Sequence, residues 1–451
     1  MKNKRKLSMI WVVLACLAMT PLTTNQALAA SQTDINSAIE KGLANLSINQ
    51  TNLDGSWPGG GYEQAATGAA VYAMLSQKIR WSVANTPIYQ TKVSNGINYL
   101  LSTASKTTVS TRNDATPICP NAAVTCAGVY WDGAGEATYT TGLVAPALAF
   151  YAAATPNAIA TASGPLANMT WKEIAQGITN MFAAGQSTAN NGFAQGGWRY
   201  FPGDGDADMS TTQWAVIAMT YDQVLGATTP TIVKDDLKNH WLVVAQASDG
   251  SGCYVPGTYC DNSDTGGLLL SLNFVGKSAS DPAVLAALGW LNLNWQPYAY
   301  GTWFGNFGHP YAMWAQYKAL ETTVGLTDTG TITNLLTNCG GNSPSTCNWY
   351  EDYNQWLVTN QNTDGSWTGY EYWGGVLATS FNLPILGGSQ IPTNVCDMNH
   401  SGDITNVDIG LISAKLRSTV TAGSPGDWNF DGKITTQDTR GCVLKIPPQA
   451  G

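Results

Sequence analysis

Two stretches near the C-terminus set out the same residues at the same spacing: Asp397, Asn399, Ser401, Asp403, Thr405 and Asp408, then Asp427, Asn429, Asp431, Lys433, Thr435 and Asp438. A hard cation such as calcium takes roughly six to eight oxygens, and a loop of about twelve residues supplies them from positions 1, 3, 5, 7, 9 and 12, with glycine at 6 for the sharp turn. Gly402 and Gly432 hold position 6, and Ile404 and Ile434 both hold position 8. One acidic turn could match such a loop by chance. Two in tandem, in one register, predict two bound Ca2+ ions.

A second set of chemistry-bearing residues stands where loops give way to apolar stretches: Tyr62 and Glu63; Glu136 and Tyr139; Tyr200 with Asp204, Asp206 and Asp208; Asp261 and Asp264; Trp303, Phe304, His309 and Tyr311; Glu371, Tyr372 and Trp373. Carboxyl groups brought together in an enclosed site serve as proton donors and acceptors, and aromatic rings supply flat apolar faces. Glu63, Glu136, Asp208 and Glu371 are the candidate catalytic acids; Tyr62, Tyr139, Tyr200, Trp303, Phe304, His309 and Trp373 are the candidate substrate-binding residues. Each acid also has a purely structural reading, because carboxylates favour helix N-termini through capping and the macrodipole.

These residues need elements that gather them. From Ser31 to about Leu386 the apolar residues keep helical spacing, as in Ile35, Ile39, Leu43 and Leu46. Thr170-Trp171-Lys172-Glu173 is a capping box, and Asp281-Pro282 puts a cap before proline at the first helical position. Helix, Gly/aromatic loop and helix recur as six units, with loops near 50–62, 127–135, 186–208, 246–264, 295–308 and 361–370. The second helix of each unit is the more apolar: Ala65–Leu75, Thr138–Ala153, Ser210–Leu225, Gly266–Phe274, Pro310–Leu320 and Gly374–Leu383. Helices apolar on most sides are buried, whereas partners such as Asp235–Val244 show one polar face. Six buried and six exposed helices predict a closed double ring whose buried helices start at one common mouth.

Three loops share a phrase: Gln50-Thr-Asn-Leu-Asp54-Gly55-Ser56-Trp57, Gln246-Ala-Ser-Asp249-Gly250-Ser251 and Gln361-Asn-Thr-Asp364-Gly365-Ser366-Trp367. Asp-Gly suits a tight turn, since glycine tolerates positive φ, and the tryptophan can fill the gap between neighbouring hairpins. The phrase resembles the QW-type repeats of the squalene cyclase and protein prenyltransferase superfamily. That resemblance implies an all-α (α/α)6 toroid over residues 31–386. It also carries a motif test: the DxDD acid of class II terpene cyclases is nearest matched by Asp206-Ala207-Asp208-Met209, with Asp208 in the acid position and the last Asp lost. A prenyltransferase would need zinc held by Asp, Cys and His, and cations for a diphosphate; Arg199 is the main basic residue near the loops.

After Leu386 the texture changes. Residues 387–394 read as a Gly/Pro linker, and 395–451 as a separate module holding the two calcium loops. Asp at position 12, and one helix after each loop, resemble a type I dockerin. That resemblance implies a cohesin-like or surface partner, bound through hydroxyl residues near positions 10 and 11 of each loop; Asn406-Val407 and Thr436-Gln437 stand there, so the usual Ser/Thr pair is largely missing.

Residues 1–30 read as an export signal: Lys2, Lys4, Arg5 and Lys6, an apolar run from Leu7 to Met19, and Ala27-Leu28-Ala29 as cleavage site. Val13-Leu14-Ala15-Cys16 is a weak lipoprotein-like match. Loss of four cations takes the formal charge from −9 to −13, which argues against nucleic acid or anionic lipid partners. The remaining cysteines fall into neighbours: Cys119 with Cys126, Cys253 with Cys260, Cys339 with Cys347, and Cys396 with Cys442. In an oxidising compartment these read as disulfides; zinc is the alternative, against which stand the absence of CxxC and the presence of only His240, His309 and His400. A secreted, extracellular or periplasmic protein without a membrane span is expected.

Three functions remain open on sequence grounds: a binding or scaffolding ring holding a carbohydrate or apolar ligand, a polysaccharide-degrading hydrolase or lyase whose acids flank the scissile bond roughly 5–9.5 Å apart, and isoprenoid chemistry. A dry, greasy interior favours the isoprenoid reading; a wet groove with two facing acids favours glycans.

Overall fold

The computed structural model describes residues 30–119, 125–299, 302–337, 347–370, 373–388, 396, 398, 406–420, 426 and 433–443. The expected export signal up to residue 29, Cys339, Glu371, linker residues 389–394 and the calcium-loop residues Asp397, Asn399, Ser401, Asp403, Thr405, Asp427, Asn429 and Asp431 lie outside the described residues.

Helix starts follow local chemistry. Ser31 and Thr170 each accept a first-turn backbone N–H, while Asp34 and Glu173 reach back to the cap N–H, completing two capping boxes. Outer α1 (Gln32–Asn49) leads to inner α2 (Glu63–Ser76). The alternation continues with α3 (Thr86–Thr103) and α4 (Ala137–Ala152), then α5 (Trp171–Gly185) and α6 (Met209–Val224). Next, α7 (Thr231–Asp236) and α8 (Leu242–Ala245), joined by a π-turn at Leu237–Trp241, precede inner α9 (Asn262–Phe274). Outer α10 (Pro282–Leu293) and α12 (Trp349–Thr359) alternate with inner α11 (Pro310–Thr323) and α13 (Val376–Gly387).

Each inner helix packs on the next, through α2, α4, α6, α9, α11 and α13, and α13 returns to α2; outer α1 packs on α12 and α13. The ring is therefore closed among the described residues, an all-α toroid. Close approach explains the small residues of the inner helices: a Cβ on Gly68 would lie 2.7 Å from the Leu143 carbonyl oxygen, and one on Gly266 2.8 Å from the Gln316 nitrogen. Two antiparallel hairpins interrupt the helical pattern: β1 (Ser105–Val109) with β2 (Cys126–Tyr130), and β3 (Cys253–Val255) with β4 (Thr258–Cys260). The helical periodicity did not foresee them; the disulfides Cys119–Cys126 and Cys253–Cys260 staple these short segments. Cys347 is also disulfide-bonded.

The repeated phrase turns out to be a joint between hairpins. Gln50, Gln246 and Gln361 each donate their side-chain amide twice, to the glycine carbonyl of their own turn and to a carbonyl of the neighbouring outer helix: Lys92, Ala283 and Ala38 respectively. Gln186 does the same to Gly196 and Val233, in a loop without the full phrase. Trp57 and Trp367 donate their indole N–H to Leu46 and Leu357, carbonyls left open at outer-helix C-termini. Trp131 and Trp198 repeat this bond to Leu100 and Phe182. Gly55, Gly250 and Gly365 have φ of +88°, +97° and +86°, as the turn requires.

Several helix limits differ from the sequence reading, α9 and α13 the most. Inner α9 begins at Asn262 instead of Gly266, because Asp261 caps it; α13 begins at Val376 and runs on to Gly387, the first residue of the expected linker. In the C-terminal module, α14 (Asn406–Ala414) packs on α15 (Thr436–Val443), Cys396 is disulfide-bonded to Cys442, and these cysteines with Ile412 and Ile434 form a small core. Among the described residues no helix is long and apolar enough to cross a membrane.

Candidate ligand cavity

Because the inner helices run the same way, their first turns meet at one end of the ring around a cavity of about 840 Å³. All six contribute: Ala65 from α2, Tyr139 and Leu143 from α4, Ser210 from α6, Asp264 from α9, Tyr311 from α11 and Leu377 from α13. The loops add Tyr62, Tyr200, Trp303 and Phe304, and the β3–β4 hairpin adds Tyr254, Tyr259 and Cys260. The floor is aromatic. Tyr311 stacks on Trp373 at 4.4 Å; beneath them Trp214 stacks on Trp314 at 5.1 Å, with Phe381 alongside. The lining is thus mostly apolar, with a few polar groups aimed inward, the usual composition of a small-molecule site.

Of the residues singled out on sequence grounds, Tyr62, Glu136, Tyr139, Tyr200, Trp303, Phe304 and Trp373 line this cavity. Burial pushes the Glu136 carboxyl above its ordinary range, against a hydrogen bond from Tyr62. Asp208 and Glu63 do not line it. Asp208 is fully buried as the cap of α6: its Oδ1 accepts from Ser210 Oγ, Thr211 N and Thr211 Oγ1, and its Oδ2 lies 2.7 Å from Arg199. Glu63, in the first turn of α2, accepts from Gly61 N at 3.1 Å. His309 is buried behind Trp303 and Tyr370, with ring centroids 4.7 and 4.5 Å away. Its Nδ1 accepts weakly from Ala312 N at 3.4 Å, which assigns the proton to Nε2, and burial lowers its pKa to about 4.

The acid that the sequence reading left without a role is Asp264. Asp261 spends its Oδ1 on the α9 cap, accepting from Ser263 N, Asp264 N and Ser263 Oγ. Three residues on, Asp264 lines the cavity and is 2% exposed, and its Oδ1 has no hydrogen-bond partner among the described residues. Burial first, then the negative charges of Asp261 and Asp208, raise its pKa well above the ordinary carboxylate value. That environment favours the neutral form of a carboxyl group facing an aromatic space. The signal was present in the spacing of two acids around the first turn of one helix, where only one is needed as a cap.

In the C-terminal module, Asp408 and Asp438, the last ligands expected of each calcium loop, are fully buried. Asp408 Oδ1 accepts from Met398 N, and Asp438 Oδ2 accepts from Thr435 N and Oγ1. Buried carboxylates at both positions fit the donor set of a calcium loop.

Neither a protein-family model nor a curated protein matches the chain. Among solved structures it is similar to the apo form of type II terpene cyclase MstE from Scytonema, at 15% identity and TM-score 0.42 over 74% of this chain and 81% of that one. It is also similar to an MstE variant in complex with its product merosterolic acid A, at 14% and 0.46 over 78% and 96%. A protein from Actinoplanes is similar at 14% and 0.41 over 78% and 98%.

Proposed function

We propose that the toroid is an exported ring that binds an apolar, isoprenoid-like ligand in its mouth cavity, and that the C-terminal module binds two Ca2+ ions and docks the ring to a partner. One observation carries the first part: an enclosure of about 840 Å³ built from all six inner helices, walled by aromatic and aliphatic side chains. Burial of an apolar ligand there gains roughly 25 cal/mol for each Å² removed from water. The glycan reading loses Glu63 and Asp208 as cavity acids; Glu136, Asp261 and Asp264 remain.

A second reading is favoured by Asp264. A protonated carboxyl facing aromatic walls can pass its proton to a ligand alkene, leaving a carboxylate and a carbocation. The aromatic faces stabilise that cation until ring closure and loss of a proton to solvent leave a neutral product, and Asp264 takes a proton back from solvent. Asp264→Asn should abolish product formation and leave binding intact.

Displacement of Nile red tests the binding reading. Farnesol should compete for one saturable site, cello-oligosaccharides should not, and Leu377→Trp should block the site. Displacement by the oligosaccharide and not by farnesol would replace the apolar ligand with a glycan.

A further inference from the structure

We infer that the ligand of the mouth cavity carries a positive charge beside its apolar body, as an alkyl- or isoprenyl-ammonium does. This rests on the cavity being a ligand site, as proposed above, and concerns the end-group it takes.

The wall chemistry is one-sided. Glu136, Asp261 and Asp264 face the cavity, and among the described residues its lining includes no lysine, arginine or histidine. Asp264 is the unusual member, since a residue 2% exposed whose Oδ1 has no partner among the described residues is a buried acceptor awaiting a donor or a cation. The surrounding rings are of the type that attracts cations to their faces, with Tyr311 stacked on Trp373 at 4.4 Å and Trp303 set edge-on to Tyr311 at 6.1 Å. The rim already holds such a contact: the Arg199 guanidinium lies 5.1 Å from the ring centroid of Tyr200 and 5.5 Å from that of Tyr254. That same arginine offers nothing to an anionic head. It is held by Asp208 at 2.7 Å and by Asp206 at 3.7 Å, so among the described residues a diphosphate or carboxylate entering the mouth would meet carboxyl groups and no available cation.

The arrangement also links binding to protons. The charges acting on Asp264 are Asp261 at its own helix start and Asp208 from the α6 side, itself paired with Arg199; Tyr311 interacts with Asp264, and Glu136 and Tyr139 line the same cavity. Burial and the neighbouring negative charges favour the protonated form of Asp264 in the free protein. A bound cation favours the carboxylate, so its binding expels a proton and strengthens as pH rises. A neutral ligand of the same length has no such dependence.

The test is a matched series on the full chain: decyltrimethylammonium, decanol and decyl sulfate, each below its micellar concentration, titrated against Nile red at several pH values. The ammonium should bind at least about tenfold tighter than the alcohol, the sulfate weaker than both, and only the ammonium should gain affinity from about pH 5 to pH 8. Asp264→Asn should remove the pH dependence and bring the ammonium-to-alcohol affinity ratio close to one. Should that variant fail to fold, the ammonium-to-alcohol ratio of the wild type and its pH slope decide. Equal binding of ammonium and alcohol, or ammonium binding that survives Leu377→Trp, overturns the charged end-group and leaves the apolar cavity standing. If none of the three probes binds, both readings fall.

Discussion

His309 provides a quantitative test of how dry the ring interior is. Its ring is fully buried against Trp303 and Tyr370, and its pKa falls from 6.5 to about 4 because burial penalises the imidazolium. The folded state favours the neutral form while the unfolded chain protonates near the ordinary value. This group therefore stabilises fully above about pH 6.5, and its contribution is lost as pH falls toward 4. At about 1.36 kcal/mol per pKa unit, the swing is about 3 kcal/mol. His309→Asn keeps an acceptor for the α11 cap and cannot titrate. Urea unfolding of both proteins, with disulfides intact, should show the stability advantage of the wild type shrinking by about 3 kcal/mol between pH 7 and pH 4. A difference between the two proteins that stays constant across that range refutes the dry, uncharged environment assigned to this residue.

Two further outcomes test the frame around the cavity and the tail. Gly250→Ala forces a side chain onto φ of +97° and puts its Cβ 2.3 Å from the Ala286 carbonyl oxygen, so chemical denaturation should show a loss of about 2 kcal/mol or more. Gly289→Ala, in α10 with nothing within 4 Å of the added carbon, should instead gain about 0.5–1 kcal/mol; similar effects at both positions would contradict the joint geometry. For the C-terminal module, Ca2+ should raise the melting temperature of a thermal transition in the full chain and EDTA should reverse it, because ligand carboxylates without an ion repel one another. Melting curves identical in Ca2+ and EDTA would remove the calcium assignment.

The sequence by itself determined the ring. Its phrase of Gln, Asp-Gly-Ser and Trp is local chemistry: a turn that needs positive φ at Gly55, a donor for the open carbonyl of Leu46, and an amide long enough to bridge from Gln50 to Lys92. Such requirements fix residue types at fixed spacing, so they are legible without coordinates, as is the all-round apolarity of the inner helices that need burial on every side. It also named half of the cavity wall, since side chains at the starts of parallel inner helices must meet once the ring closes.

Only the tertiary structure decided which acids face inward. Asp208 and Asp261 are the equivalent caps of α6 and α9, and Asp208 also turns to Arg199; Asp264, in the first turn of α9, is not needed as a cap and lines the cavity. The direction of a carboxylate depends on which donors lie within about 3 Å of it; the cap donors Ser210, Thr211 and Ser263 are near in the chain, but which side of a helix start meets the cavity is set by packing against the other inner helices. Spacing along a sequence places a side chain on a helix; its partners in space decide whether it holds the fold or meets a ligand.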